Sequence, residues 1–202
     1  MNKGNWISLA LSFLLGGALL TWTTDGLRAF STEGARRLSV EREPRALPPV
    51  VMEDPSGQPV TFSDFTGQWV VVEFIYTRCP TLCQALAASF QKMARDLPPD
   101  RLGRDVFLLS VSFDPAHDDR AALAEYGERH QADGRSWRIV RVRDPADLPR
   151  LLDTFGIVVI PDGAGGYEHN AALHVVGPDG RLRRIYDLTA GDALIADLRT
   201  TR

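Results

Sequence analysis

The 202-residue chain carries 23 basic and 26 acidic residues, a net charge of -3, and 44% hydrophobic residues. So even a balance argues against the basic face of a nucleic-acid binder, and once the first ~25 residues are set aside the remainder has the size of one domain with its own core. Two cysteines are too few for a disulfide scaffold, so Cys79 and Cys83 call for a chemical reason.

The stretch NWISLALSFLLGGALLTWT, residues 5–23, holds no charge. As a helix it spans roughly 28 Å, about a bilayer core, with Trp6 and Trp22 where interfacial aromatics belong. It shows no polar face, and no small-x-small cleavage site follows it. Residues 1–24 therefore read as an uncleaved transmembrane anchor rather than a removed signal. Lys3 and the α-amine on a short leading tail favour a cytoplasmic N-terminus, against the pull of Arg28, Arg36 and Arg37 beyond the helix. That orientation places the rest of the chain on the periplasmic side of the inner membrane. Residues 25–49 are charged and end in Pro48-Pro49, the composition of a flexible linker. Residues 50–202 read as the folded domain.

Within it, DPSG at residues 54–57 marks a turn. The apolar run over residues 68–76 predicts a strand buried on both faces. Residues 80–97 predict a helix, with Pro80 at its first position and Leu82, Leu86, Ala87, Phe90 and Met93 at helical spacing. A second buried strand follows over 105–113, then a helix with Asp114 as N-cap before Pro115. Residues 137–142 predict a strand, and 144–156 a helix closed by Gly156. Residues 172–188 form a hairpin turning at Pro178-Asp179-Gly180, and 191–200 a last helix. Helices alternating with buried strands imply an α/β domain with a mostly parallel central sheet and flanking helices. With the C-terminal hairpin, this is the pattern of a thioredoxin-like fold.

Cys79 ends the loop after the first strand, and Cys83 lies in the first turn of the helix. Four residues apart, both sulfurs are expected on one side, at the carboxyl end of the sheet where α/β sites gather. The helix N-terminus, with Arg78 nearby, is expected to lower the thiol pKa. Thiolate serves equally as nucleophile and as metal ligand. A disulfide closing so short a loop stabilises weakly, so a purely structural staple is the poorer reading. Of the histidines, His117 and His130 read as solvated, and His174 as a satisfied strand residue. His169 lies in PDGAGGYEHNAAL, a glycine-rich segment. It is either a donor on a mobile loop that closes over a metal, or a plain loop residue; the spacing alone leaves both open.

Three segments in order, VVVEFIYTRCPTLC, LLSVSFDP and HNAALHVVGPDG, resemble the SCO/SenC family of membrane-anchored copper chaperones of cytochrome c oxidase assembly. The resemblance covers roughly residues 45–190 together with the anchor. It implies a copper(I) site built from Cys79, Cys83 and His169, because soft sulfur selects that ion. A copper(II) form would need a further oxygen donor, such as Asp114 or Glu168. The implied partner is the copper-bearing subunit of the oxidase or another periplasmic copper protein. Two positions depart from the family pattern: Gln84 replaces a proline after the second cysteine, and Glu168 replaces an aspartate before the histidine. The rival reading is a thiol–disulfide oxidoreductase with Cys79 and Cys83 as its catalytic pair. Against it stand the CxxxC spacing and the lack of a proline in residues 167–173. A copper or redox sensor would use the same residues.

Overall fold

The computed structural model describes residues 3–26, 31–79 and 82–201. Pro80, expected to open a helix, lies outside the described residues. Helix α1, Lys3–Thr23, is long and apolar enough to cross a membrane, and none of its apolar window is buried against the rest of the chain. Next come α2 (Thr32–Arg42), then the short strands β1 (Arg45–Ala46), β2 (Met52–Glu53) and β3 (Pro59–Val60). The long central strand β4 (Trp69–Ile75) leads into α3 (Leu82–Asp96), β5 (Val106–Ser112), α4 (Arg120–His130) and β6 (Trp137–Val142). Helix α5 (Leu148–Phe155), the pair β7 (Val159–Pro161) and β8 (Tyr167–His169), the hairpin β9 (Ala172–Val176) and β10 (Arg181–Asp187), and α6 (Gly191–Thr200) complete the domain.

The main sheet has eight strands in the order β1-β10-β9-β4-β5-β6-β2-β3. β4 pairs in parallel with β5, and β5 with β6, so the expected parallel unit forms the centre. Antiparallel strands extend it on both sides: β9 joins β4 directly, and β2 joins β6. The result is a thioredoxin-like α/β sheet that is mixed rather than mostly parallel as expected, because the short strands β1, β2 and β3 and the C-terminal hairpin all join it antiparallel. Alternation along β4 decides which helices cover which face. Val70, Val72 and Phe74 meet the α5 side, where Phe155 packs edge-on to Phe74 and to His174. Val71, Glu73 and Ile75 meet the α3 side, where Phe90 packs edge-on to Trp137. Leu86, Ala87, Phe90 and Met93 on α3 are fully buried, as the spacing predicts, and Cys83 is buried with them; the Leu82 side chain lies outside the described residues.

Three further expectations change. The segment 32–46 does not run as an irregular linker. Ser31 caps α2 by accepting from the Gly34 amide, Val40 and Leu38 are buried, and β1 pairs with β10. Two apolar residues among so many charges leave almost no periodic signal, and the helix is held by what it packs on. Helix α4 begins at Arg120 under an Asp119 cap, not at Asp114. The Asp118 side chain is drawn inward to the loop before Cys79, so residues 114–119 form a turn instead. His130 is buried against the Tyr126 ring rather than solvated, and burial holds its pKa below the ordinary histidine value.

Glu73 is a buried acid in mid-sheet. Ser110 Oγ donates to one of its oxygens, and Trp137 Nε1 donates to Ser110 in turn at 2.9 Å. Its Oε2 has no partner among the described residues. Burial pushes its pKa up to about 8, against 4.5 when exposed. Between those values the folded chain holds one proton more than the unfolded chain, so Glu73 lowers stability as pH rises through that window.

Two measurements follow. Val40→Ala should cost about 2 kcal/mol in urea denaturation, because the methyls leave a filled site; a linker residue would cost nothing. Glu73→Gln, neutral at every pH, should stabilise the domain over wild type by a margin that widens from about pH 5 to about pH 8. A margin that stays constant would contradict a protonated, buried Glu73.

Candidate metal centre

The site lies at the carboxyl ends of β4 and β5. After β4, Tyr76 starts a tight turn, closed by the Cys79 amide donating to the Tyr76 carbonyl at 3.1 Å. Asp118, fully buried, fixes that turn from outside. It accepts from the Thr77 amide at 2.9 Å, the Thr77 hydroxyl at 2.7 Å and the Ser112 hydroxyl at 2.6 Å. Asp114 braces the neighbouring segment. Its carboxylate takes Arg78 Nη2 at 2.9 Å, His117 Nδ1 at 2.9 Å and the Tyr167 hydroxyl at 3.4 Å. Burial alone would raise the Asp114 pKa, but the bonds from His117 and Arg78 outweigh it and hold the carboxyl below its usual range. Asp114 is therefore committed to a guanidinium, an imidazole and a hydroxyl, and Arg78 is turned toward it.

Cys79 lies just ahead of α3 and Cys83 in its first turn. The Cys83 amide donates to Cys79 Sγ at 3.3 Å, so the first cysteine's sulfur takes up one of the free amides in the first turn of the helix. Both thiols are buried and not joined as a disulfide. The expected lowering of thiol pKa does not hold at Cys83. Its hydrogen bond with Cys79, followed by burial, pushes that thiol well above the usual cysteine range. A helix terminus favours an anion only while the anion is solvated or paired, and Cys83 sits too deep for either.

His169 stands at the end of β8, not on an open loop. The glycine-rich segment is the tip of a two-stranded hairpin, with Val159 opposite His169. The tip is self-contained, since Asp162 accepts from the Ala164 and Gly166 amides. The hairpin folds back over the cysteines and brings His169 Nε2 to 4.0 Å from Cys83 Sγ. Phe113 packs edge-on to the imidazole at 5.0 Å, and Tyr76, Phe113 and Tyr167 form a ring cluster behind it. Burial lowers the His169 pKa, so the ring is neutral near pH 7. A neutral ring is the form that ligates metal.

The remaining histidines stay apart from this group. His174 is buried in β9 with Nδ1 on the Val72 carbonyl at 3.3 Å, and His117 belongs to Asp114. Glu168 points to solvent. Among the described residues, no three Cys, His, Asp or Glu side chains already stand as a closed metal cage. The close pair is Cys83 and His169, with Cys79 joined to it through the Cys83 amide. With metal–sulfur and metal–nitrogen bonds of about 2.3 and 2.0 Å at an angle near ~120°, sulfur and nitrogen would stand about 3.7 Å apart. The observed 4.0 Å is within a few tenths of that spacing. Asp118, Tyr76 and Tyr167 shape the site, yet no local pattern singles them out: Asp118 is one of two adjacent aspartates, and both tyrosines act only through tertiary contacts.

Fold and site together define a thioredoxin-like domain that sets two thiols beside one imidazole. The chain belongs to the SCO1/SenC family, whose model matches residues 43–201. It is 27% identical over 195 residues to the mitochondrial SCO1 homologue of Mus musculus, covering 87% of this chain and 63% of that protein. It thus spans less than two thirds of that relative's length. Among solved structures, ScoI of Bradyrhizobium japonicum with copper bound is similar with a TM-score of 0.63 and 22% identity, over 76% of this chain and 98% of that one. BsSco, described as a member of the Sco family of cytochrome c oxidase assembly proteins and as carrying a disulfide switch, gives a TM-score of 0.68 and 21% identity, over 78% and 94%. At these identities the two structures bear on the fold.

Cys83 in the reduced protein should react with iodoacetamide at least about a hundredfold more slowly than a free thiol, because the thiolate is the nucleophile. Peptide mass spectrometry after timed quenching measures it, and full labelling in urea provides the control. Rapid native labelling at Cys83 would contradict the raised pKa.

Proposed function

We propose that this chain is a membrane-anchored copper chaperone that carries one copper(I) ion between Cys79, Cys83 and His169. The observation that carries the reading is the 4.0 Å approach of His169 Nε2 to Cys83 Sγ across 86 residues of sequence. Two sulfurs and an imidazole are a soft donor set, suited to copper(I). Family membership supports it, as does the copper held by the similar ScoI protein. The recipient we propose is the copper-bearing subunit of cytochrome c oxidase, in line with the assembly role attributed to BsSco. Helix α1 supports residues 1–24 as the anchor, and the orientation we propose, from Lys3 and the α-amine on the short leading tail, sets the domain on the periplasmic side.

The groups of the site divide the work. Neutral His169 offers its lone pair without first losing a proton. Cys83 keeps its proton until copper arrives, so loading releases that proton to solvent. Release would run by stepwise exchange, in which a recipient's cysteine sulfur replaces one donor at a time. A copper(II) form would need a donor beyond these three, and Asp114 already holds Arg78 and His117. The same thiol pair could also reduce a partner's disulfide, a reading favoured by the contact between Cys79 Sγ and the Cys83 amide, which keeps the two cysteines within reach of each other.

Copper(I) titration of the reduced full chain against a competing chelator tests the proposal. His169→Ala should weaken binding by more than about tenfold, the scale of loss that follows even when only a ligand's supporting group is removed. Equal affinities would take His169 out of the site. Thioredoxin-like rates of disulfide reduction, with no copper retained, would favour the reductase.

A further inference from the structure

Among the described residues, the His169 ring meets a hydrogen-bond partner at one nitrogen only, Nε2 with Cys83 Sγ at 4.0 Å. Its Nδ1 is buried and has no partner among the described residues. A ligating histidine usually donates from the second nitrogen to a carboxylate or carbonyl, which sets the ring. Without that second bond, the ring's place depends on the long contact to Cys83, the Phe113 ring and the backbone that carries it. That backbone is a three-residue strand paired only with another three-residue strand, in a sheet separate from the main one. So short a pair is marginal alone.

Two clamps flank His169. On one side Tyr167 is held: its amide donates to the Tyr76 hydroxyl at 3.3 Å, and its own hydroxyl reaches Asp114. On the other side is Asn170, the next residue in sequence. Its Nδ2 donates to the Gly156 carbonyl at 2.9 Å, and its Oδ1 accepts from the Val158 amide at 2.7 Å. One side chain therefore bridges the end of α5 and the entry to β7. The point it grips is firm. Gly156 closes α5 in the left-handed conformation, with φ 68. The last carbonyls of that helix are taken from the far side, Thr154 by Arg45 at 3.1 Å and Phe155 by Arg36.

We infer that Asn170 is a positioning residue that fixes His169 over Cys83 by tying the root of the β7–β8 hairpin to the end of α5. Only a side chain with both a donor and an acceptor at this length makes the bridge. An aspartate in its place would keep the acceptor for Val158 and lose the donor to Gly156; an alanine would lose both. This inference rests on the reading of His169 as a copper donor, and the tests separate the two.

The full chain in detergent, reduced, with isotope-labelled histidine, provides a readout without copper. In wild type the His169 ring should show nuclear Overhauser contacts to the Phe113 ring and the Cys83 β-protons. Asn170→Ala should lose the Cys83 contact, and Asn170→Asp should weaken it while keeping the fold. Copper(I) competition then supplies the second readout. Asn170→Ala should weaken binding about tenfold, toward the His169→Ala level. Placed in the His169→Ala background, it should cause no further loss. An unchanged ring contact with unchanged affinity would overturn the inference. So would an equal fall in both backgrounds, since that marks a general loss of structure. If the contact is lost in Asn170→Ala while wild type and His169→Ala bind copper alike, the positioning role stands and the donor reading falls.

Discussion

Three hydrogen bonds into one buried carboxylate hold this site in place. Asp118 is shut away from water, and it takes the Thr77 amide, the Thr77 hydroxyl and the Ser112 hydroxyl. A buried carboxyl without such donors would leave its oxygens unpaired at that depth, which is costly. Donors and acceptor therefore need one another, and the loop before Cys79 has a single position. Cys79 then falls where the Cys83 amide, in the first turn of α3, can reach its sulfur. The same inward pull on Asp118 delays α4 and leaves Asp114 to collect Arg78, His117 and Tyr167. One interaction thus sets the cysteine loop, the start of a helix and the carboxylate that meets the histidine hairpin.

The two arms of the site differ in kind. The cysteine arm grows from the central strand β4 and is braced from β5 by Ser112. The histidine arm is a short hairpin outside the main sheet, held by side chains on both flanks. Its root sits on α5, whose end is also gripped by Arg36 of α2. The helix nearest the apolar anchor and the hairpin that carries His169 thus share one support. Electrostatics divides the arms as well. Burial keeps the imidazole neutral, while the Cys79 contact and burial keep Cys83 protonated. In a cleft of this depth, a monovalent cation that replaces a proton adds no net charge to the protein interior, which makes exchange easier than adding a bare ion.

Much of the fold is legible in the chain. The runs at 68–76 and 105–113 read as central strands, because they are short, rich in β-branched and aromatic residues, and a doubly covered sheet buries such consecutive apolar residues. The turn at Gly177–Gly180 and the cap at Gly156 need a left-handed backbone that glycine supplies, and both stand where expected. The pieces that are not legible share a cause. Helix α2 and strands β1, β2, β3, β7 and β8 are short or mostly polar, and they gain their shape from neighbours far along the chain. His130 reads as solvated in sequence because its partner, Tyr126, packs it from within the fold. The helix terminus alone points to a lowered thiol pKa at Cys83, when the hydrogen bond with Cys79 and then depth decide it.

The amino-acid sequence by itself determined the class of protein: an apolar first segment, an α/β alternation, a CxxxC at a helix start and a histidine at a set distance from a turn. Those features are local, carried by residues within a few positions of one another, so composition and spacing express them. Only the tertiary structure decided that Cys83 and His169 approach within 4.0 Å, that Asp118 rather than Asp119 turns inward, and that Cys83 keeps its proton. Each of these depends on which distant surfaces exclude water from a particular atom, and burial is a property of the packed chain that no short stretch of it carries.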